Sequence, residues 1–339
     1  MDGMKKEMDT LPTQRGGRGN IIGWSMVGAV GGWLLYSAFG INHQEPLPPA
    51  VPAEQVRFSD EVAGFLSYYV DERAEGRPLL LVHSINAAAS AYEMRPIFEH
   101  YRQLRPVYAL DLPGFGFSER ADREYTPTLY ARAIAAMLDR IGQPTDIVAL
   151  SLGCEFAALA AQQRPEYVQS LTLISPTGFT ARQNTVSSQR ARQSDVSSGV
   201  YRALSFPLWG QALYDLLTTR RSIRFFLQKN FERPLDTGLL EYAYLTTHQR
   251  GARFAPLHFV SGLLFTPTIR QHVYASLMQP ILVLFDRDPN VRFDTLPEWV
   301  TNHPNWRMVR IAPSKGLPHF ERMEDAAAAL EAFWSSIAP

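Results

Sequence analysis

The chain has 339 residues, 46% of them hydrophobic and 19% charged, enough for one large core or one core with a subdomain. Its 33 basic residues balance 33 acidic ones, so the total charge carries no nucleic-acid footprint. Cys154 is the single cysteine, which excludes an internal disulfide; directly after a glycine at a helix start it reads as a small packed side chain rather than a reactive thiol.

Residues 1–20 are polar and glycine-rich and are expected to be disordered. Ile21 to Ile41 carries no charged residue and holds Trp24, Trp33 and Tyr36, a length that matches the roughly 20 residues of a transmembrane helix. The expectation is a membrane anchor here, with Gly28 and Gly32 as a small-residue contact for a homodimer. Arg15 and Arg18 precede the run and the next basic residue is Arg57, which predicts a cytoplasmic N-terminus and a body outside. A cleaved signal peptide is the alternative, though no cleavage-like site follows closely. Residues 42–55, proline-rich from Gln44 to Ala53, read as a stiff linker.

From about Val56 the pattern changes to short apolar runs alternating with helical stretches. Phe65–Val70, Pro78–His83, Val107–Leu112, the run into Leu150, and Val168–Ser175 read as strands, with helices over Tyr92–Arg102, Pro127–Ile141 and the stretch after Ser151. The alternation stops from Gly178 to about Leu277, where helical, aromatic and arginine-rich segments take over. It resumes with strands at Ile281–Phe285 and Trp306–Ile311 and helices at Phe293–Val300 and Glu324–Trp334. This order predicts an α/β fold with a doubly wound, mostly parallel sheet, a core made of 56–178 and 279–339, and an inserted helical cap at 179–278.

Three motifs stand at the ends of these strands. Ser151 lies in Asp146-Ile-Val-Ala-Leu-Ser-Leu-Gly-Cys-Glu155, a strand breaking at one serine and running straight into a helix, with the small residues Ala149 and Gly153 on either side. Such a sharp turn exposes the hydroxyl and aims helix N–H groups at it. Asp111-Leu-Pro-Gly-Phe-Gly-Phe-Ser118 follows one strand, and His83-Ser-Ile-Asn86 another. With this set in this order the chain resembles the α/β-hydrolase family from about Phe65 to Trp334. The resemblance implies Ser151 as nucleophile, with the backbone N–H groups of Leu152 and Ile85 as oxyanion donors. Ser84 replaces the usual glycine. It places the triad acid after the strand Ile281–Phe285, where Asp288, followed by Pro289, is preferred to Asp286. The base would be His319, the one histidine of eight that follows the last strand. Yet in the family's common G-H-x-P-H-x-E ending, His319 falls on the second histidine and Gly316 on the catalytic one.

The cap offers Tyr201, Phe206, Trp209, Phe225, Phe226, Phe259 and Phe265 as apolar surface, and Arg202, Arg220, Arg221, Arg224 and Arg253 as cations. Ordinary cap core with a solvated basic face is as good a reading as a dedicated pocket. No cofactor or metal is expected. The resemblance implies a membrane-anchored serine hydrolase acting on a small apolar ester or acyl substrate. Its alternatives are an acyltransferase using the same serine, or a binding or assembly protein without turnover.

Overall fold

The computed structural model describes residues 18–180 and 190–337. Its elements in chain order are α1 (Arg18–Phe39), β1 (Glu54–Asp60), β2 (Gly64–Asp71), β3 (Leu79–Val82), α2 (Arg95–Tyr101), β4 (Val107–Asp111), α3 (Pro127–Ile141), β5 (Thr145–Leu150), α4 (Gly153–Gln163) and β6 (Val168–Ile174). The inserted segment carries α5 (Arg190–Leu204), α6 (Gly210–Leu217), α7 (Arg220–Gln228), α8 (Thr237–Thr247), α9 (Phe254–Val260) and α10 (Ile269–His272). The sheet then resumes with β7 (Ile281–Phe285), α11 (Leu296–Asn302), β8 (Trp306–Arg310), α12 (Pro318–Glu321) and α13 (Met323–Ile337).

Eight strands form one sheet in the order β1-β2-β4-β3-β5-β6-β7-β8. Only β1 and β2 run antiparallel to their neighbours. The inner strands β3 to β6 are buried along almost their whole length, as a sheet covered on both faces requires. Between β3 and β5 the order of connections reverses: the chain leaves β3 for β4 on one side, then returns to place β5 on the other. In an open α/β sheet that reversal leaves a crevice at the carboxyl ends of the two strands. The loop after β3 and Ser151 after β5 both open there.

Two expectations need correction. No helix among the described residues is long and apolar enough to cross a membrane, which overturns the transmembrane anchor at 21–41. α1 exists, but five of its 22 residues are glycine, and glycine brings almost no apolar surface to a helix. The membrane partner and the outward orientation rested on that run and are not carried further. The second concerns β1, whose first residues fall inside the stretch read as linker. Its side chains alternate between exposed and half-buried without an apolar run, as an edge strand allows, so no hydrophobic signal announced it. Of the expected disordered tail, 1–17 lies outside the described residues and Arg18 already belongs to α1.

The loop after β4 shows why its motif has the residues it has. Asp111 is fully buried and its carboxylate accepts the N–H groups of Ala91 at 3.1 Å and Phe117 at 3.0 Å. Burial pushes its pKa up to about 6. Gly116 sits at φ 51, and a Cβ there would lie 2.0 Å from the Asp111 carboxyl carbon. The loop therefore folds over its own aspartate, and only glycine fits. Gly116→Ala is expected to cost about 2 kcal/mol or more of unfolding free energy, read from a urea titration; an unchanged midpoint would show that the loop relaxes freely.

Candidate active site

Ser151 has φ 52, one of three non-glycine residues with positive φ among those described, a left-handed conformation that costs a residue with a side chain about 1–2 kcal/mol. Its backbone is held on both sides. The N–H donates to Ile174 O of β6 at 2.8 Å, and its carbonyl accepts from Cys154 N at 3.0 Å. Behind it, a Cβ on Gly153 would come within 2.4 Å of the His83 carbonyl oxygen, so α4 starts in direct backbone contact with the loop after β3. The Ser151 hydroxyl makes no hydrogen bond among the described residues. Neither do the N–H groups of Ile85 and Leu152, although both residues are at most 2% exposed. Two buried donors without acceptors cost about 1–3 kcal/mol each. Leu152 follows the strained serine directly, and Ile85 lies on the loop whose His83 carbonyl approaches Gly153.

Cys154, immediately after the elbow, is fully buried, with its Sγ 3.2 Å from Ala149 O, and burial pushes its thiol well above the ordinary value. Glu155 is equally enclosed. Its carboxyl accepts from the Thr177 hydroxyl and from Thr266 N at 2.7 Å, so it ties α4 to the inserted segment. Burial raises its pKa to about 7.

The acid candidates separate by their partners. Asp286 spends both oxygens, accepting from Arg310 Nε at 2.7 Å and Ser314 N at 2.8 Å. Asp288 accepts from Asn290 N at 2.7 Å and Val291 N at 2.9 Å, both on Oδ1, and Oδ2 makes no hydrogen bond. Burial raises its pKa. That second oxygen faces Gly316. A Cβ on residue 316 would meet Asp288 Oδ2 at 2.9 Å and Asn230 Oδ1 at 2.8 Å. A carboxylate and a carboxamide thus occupy the space that a side chain at position 316 would take.

The expected base is elsewhere. His319 is fully buried and its Nε2 donates to the carbonyl of Glu93 at 2.7 Å, while Nδ1 has no partner. It hydrogen-bonds to neither Ser151, Asp286 nor Asp288, and its one bonded nitrogen is spent on the Glu93 carbonyl. The reason lies in the loop: Pro318 opens the short helix α12 and turns residue 319 inward against the turn at Glu93. Burial lowers its pKa to about 4. All eight histidines fall among the described residues, and none bonds to Ser151 or to either aspartate. His83 is enclosed in the oxyanion loop, His43 contacts Asp215 at 2.9 Å, and His100 faces Glu331 at 3.8 Å. His248, His258 and His303 each donate Nδ1 to a carbonyl four residues earlier. His272 lies exposed on α10. Among the described residues, no group of three His, Cys, Asp or Glu could hold a metal.

The aromatic residues of the inserted segment are turned partly outward. Phe206, Trp209, Phe225, Phe226 and Phe265 are each more than 40% exposed, and Arg220 covers Tyr244 at 3.6 Å while pairing with Glu241 at 3.0 Å.

Residues 79–330 match the model of a family described as the alpha/beta hydrolase family. The chain belongs to that family. Over 109 residues it is 35% identical to a 2-hydroxymuconate semialdehyde hydrolase of Pseudomonas putida, covering 32% of this chain and 39% of that one. Over 181 residues it is 26% identical to the 1-acylglycerol-3-phosphate O-acyltransferase ABHD5 of Rattus norvegicus, covering 51% and 46%. The chain thus spans less than half the length of these curated relatives. Among solved structures, a serine hydrolase involved in carbazole degradation superposes with a TM-score of 0.64 at 18% identity, over 83% of this chain and 99% of that one. An esterase from Thermogutta terrifontis gives 0.59 at 16%, over 85% and 100%. At these identities the two structures share the fold.

The buried, neutral state of His319 has a measurable consequence. Its folded pKa near 4 lies below the ordinary 6.5, so between those values the unfolded chain takes up a proton that the native state refuses. Stability is therefore fully present above pH 6.5 and is lost as pH falls toward 4. Relative to a His319→Gln variant, which keeps a donor for the Glu93 carbonyl, the wild type is expected to lose about 3 kcal/mol across that window. Parallel unfolding curves at each pH check this; a difference that stays flat would mean that the ring is protonated in the native state.

Proposed function

We propose that the chain is a serine-nucleophile hydrolase for an apolar carboxylic ester, working without a histidine base. The observation that supports it is the unengaged Ser151 hydroxyl on a strained turn, next in the chain to the buried, unengaged N–H of Leu152, where the sheet's connections reverse. In this reading Ser151 Oγ bonds to the ester carbon, the carbonyl oxygen takes up negative charge between Leu152 N–H and Ile85 N–H, and the leaving alkoxide departs with the serine proton. Water then cleaves the acyl-serine. A positioned general base is worth about 10²–10⁴-fold, so both steps are slow without one. The aromatic content of the inserted segment supports an apolar substrate. The relative named as an acyltransferase suggests an alcohol as a second acceptor for the same intermediate.

A second reading is an acyl-binding or assembly protein without turnover. It is favoured by Asp288 and Asn230 filling the space beside Gly316, which leaves the acid with nothing to orient.

A fluorophosphonate probe separates the two. Labelling is expected in the wild type and absent in Ser151→Ala, with His319→Ala still labelling. No labelling of the wild type, together with no release of nitrophenol from nitrophenyl esters of any chain length, would favour the binding reading. Gly316→His adds a test of the missing base: both neighbours of the new Cβ are side-chain ends that can swing aside, and ester turnover is expected to rise at least about tenfold. An unchanged rate would show that Asp288 cannot orient an imidazole from position 316.

A further inference from the structure

His319, freed from the role of base, has a position that asks for another explanation. Its Nε2 holds the backbone carbonyl of Glu93, and the Glu93 side chain turns back onto the loop after β3. There one carboxylate oxygen accepts Ser84 N–H at 2.9 Å and the other accepts Asn86 Nδ2 at 2.7 Å. Asn86 in turn donates to Ser84 Oγ at 2.8 Å and accepts from Ala88 N at 2.7 Å. Glu93 is 3% exposed and among the described residues no cation pairs with it, an expensive way to satisfy one amide and one carboxamide. Ser84 is the residue that stands where the family has glycine, and it is the residue this carboxylate holds.

The two peptide planes that meet at Ser84 are pinned from opposite sides. The 83–84 plane is fixed through its N–H by Glu93. The 84–85 plane is fixed through its C=O, which accepts His83 Nδ1–H at 2.6 Å. Because Leu112 N–H occupies His83 Nε2 at 3.0 Å, the proton of that neutral imidazole has to sit on Nδ1. A trans peptide directs its N–H opposite to its C=O, so these bonds decide where the Ile85 N–H points. A flip of the 84–85 plane would break the His83 bond and turn the Ile85 N–H away, and release of the 83–84 plane would free the Ser84 backbone that carries it.

We infer that Glu93, braced by His319, is a positioning residue of the oxyanion hole, holding the loop at Ser84 so that the Ile85 N–H stays available to a developing oxyanion. This rests on the serine-nucleophile reading above. Glu93→Gln would set an amide donor against either Ser84 N–H or Asn86 Nδ2. It is expected to slow fluorophosphonate labelling of Ser151 at least about tenfold, in line with the loss of one oxyanion donor. The double variant Glu93→Gln/Asn86→Asp reverses donor and acceptor between the two side chains and leaves an oxygen for Ser84 N–H. It is expected to restore labelling to within about threefold of wild type. His319→Gln should label at near the wild-type rate, since it keeps the donor to Glu93. Labelling at the wild-type rate in Glu93→Gln would overturn the inference. So would a double variant whose thermal stability recovers while its labelling does not. Hydrogen exchange at the Ile85 amide reads the loop without chemistry: faster exchange in Glu93→Gln, reversed in the double variant, supports the inference, and unchanged exchange refutes it. If the wild type fails to label, the hydrolase reading falls on its own, and exchange at Ile85 still decides the role of Glu93.

Discussion

The close approach of α4 to the loop after β3 is the constraint from which the rest of the site follows. Gly153 leaves no room between the helix and the His83 carbonyl, which forces the strand-to-helix turn to be tight and puts Ser151 in a left-handed conformation. Any side chain at 153 would push the helix away, and with it the Leu152 N–H from the Ile85 N–H. The sheet sets up that contact: β3 and β5 are hydrogen-bonded neighbours, with Val82 opposite Ala149, so their outgoing loops leave the same edge side by side. One missing methyl group thus aligns two amides that come from segments nearly 70 residues apart in the chain.

Around that contact the interior is unusually polar. Asp111, Glu93, Glu155, His83 and His319 are all within a few per cent of full burial, and among the described residues none sits in an ion pair. Each is instead held by backbone groups or neutral side chains, His319 through Nε2 alone, and three of them fasten a loop: Asp111 its own turn, Glu93 the loop after β3, Glu155 the junction with the inserted segment. Neutral partners in a dry site make such groups costly to disturb. The loops at the carboxyl edge of the sheet are therefore held by directed bonds, where side-chain packing alone would allow them to slide.

Much of the fold was legible because its signals are local. The buried strands β3 to β7 are short apolar runs, and the turn residues of the loops after β4 and β5 are dictated by close approaches that only glycine permits. The edge strand β1 escaped because an exposed strand needs no apolar run. The uncharged stretch at 21–41 misled because absence of charge is not the same as apolar surface, and glycine supplies little. For His319, chain order was the wrong guide. A histidine's role depends on which way one short turn faces, and Pro318 with the following α12 turns it inward; Gly316, which stands at the family's usual histidine position, lies beside Asp288. The pinning of Ser84 by Glu93 was not legible at all, since it joins residues nine apart through a turn whose shape no periodicity records.

Cys154 gives the molecule a property of a different kind. It is the chain's sole thiol, it is fully enclosed, and it lies three residues beyond Ser151, in the first turn of α4. A thiol reagent can reach it only when that turn lifts off the sheet, so the speed of its modification reports the opening frequency of this one segment. The protein thus carries its own built-in stopwatch for the elbow, readable in the native chain without any foreign label being introduced.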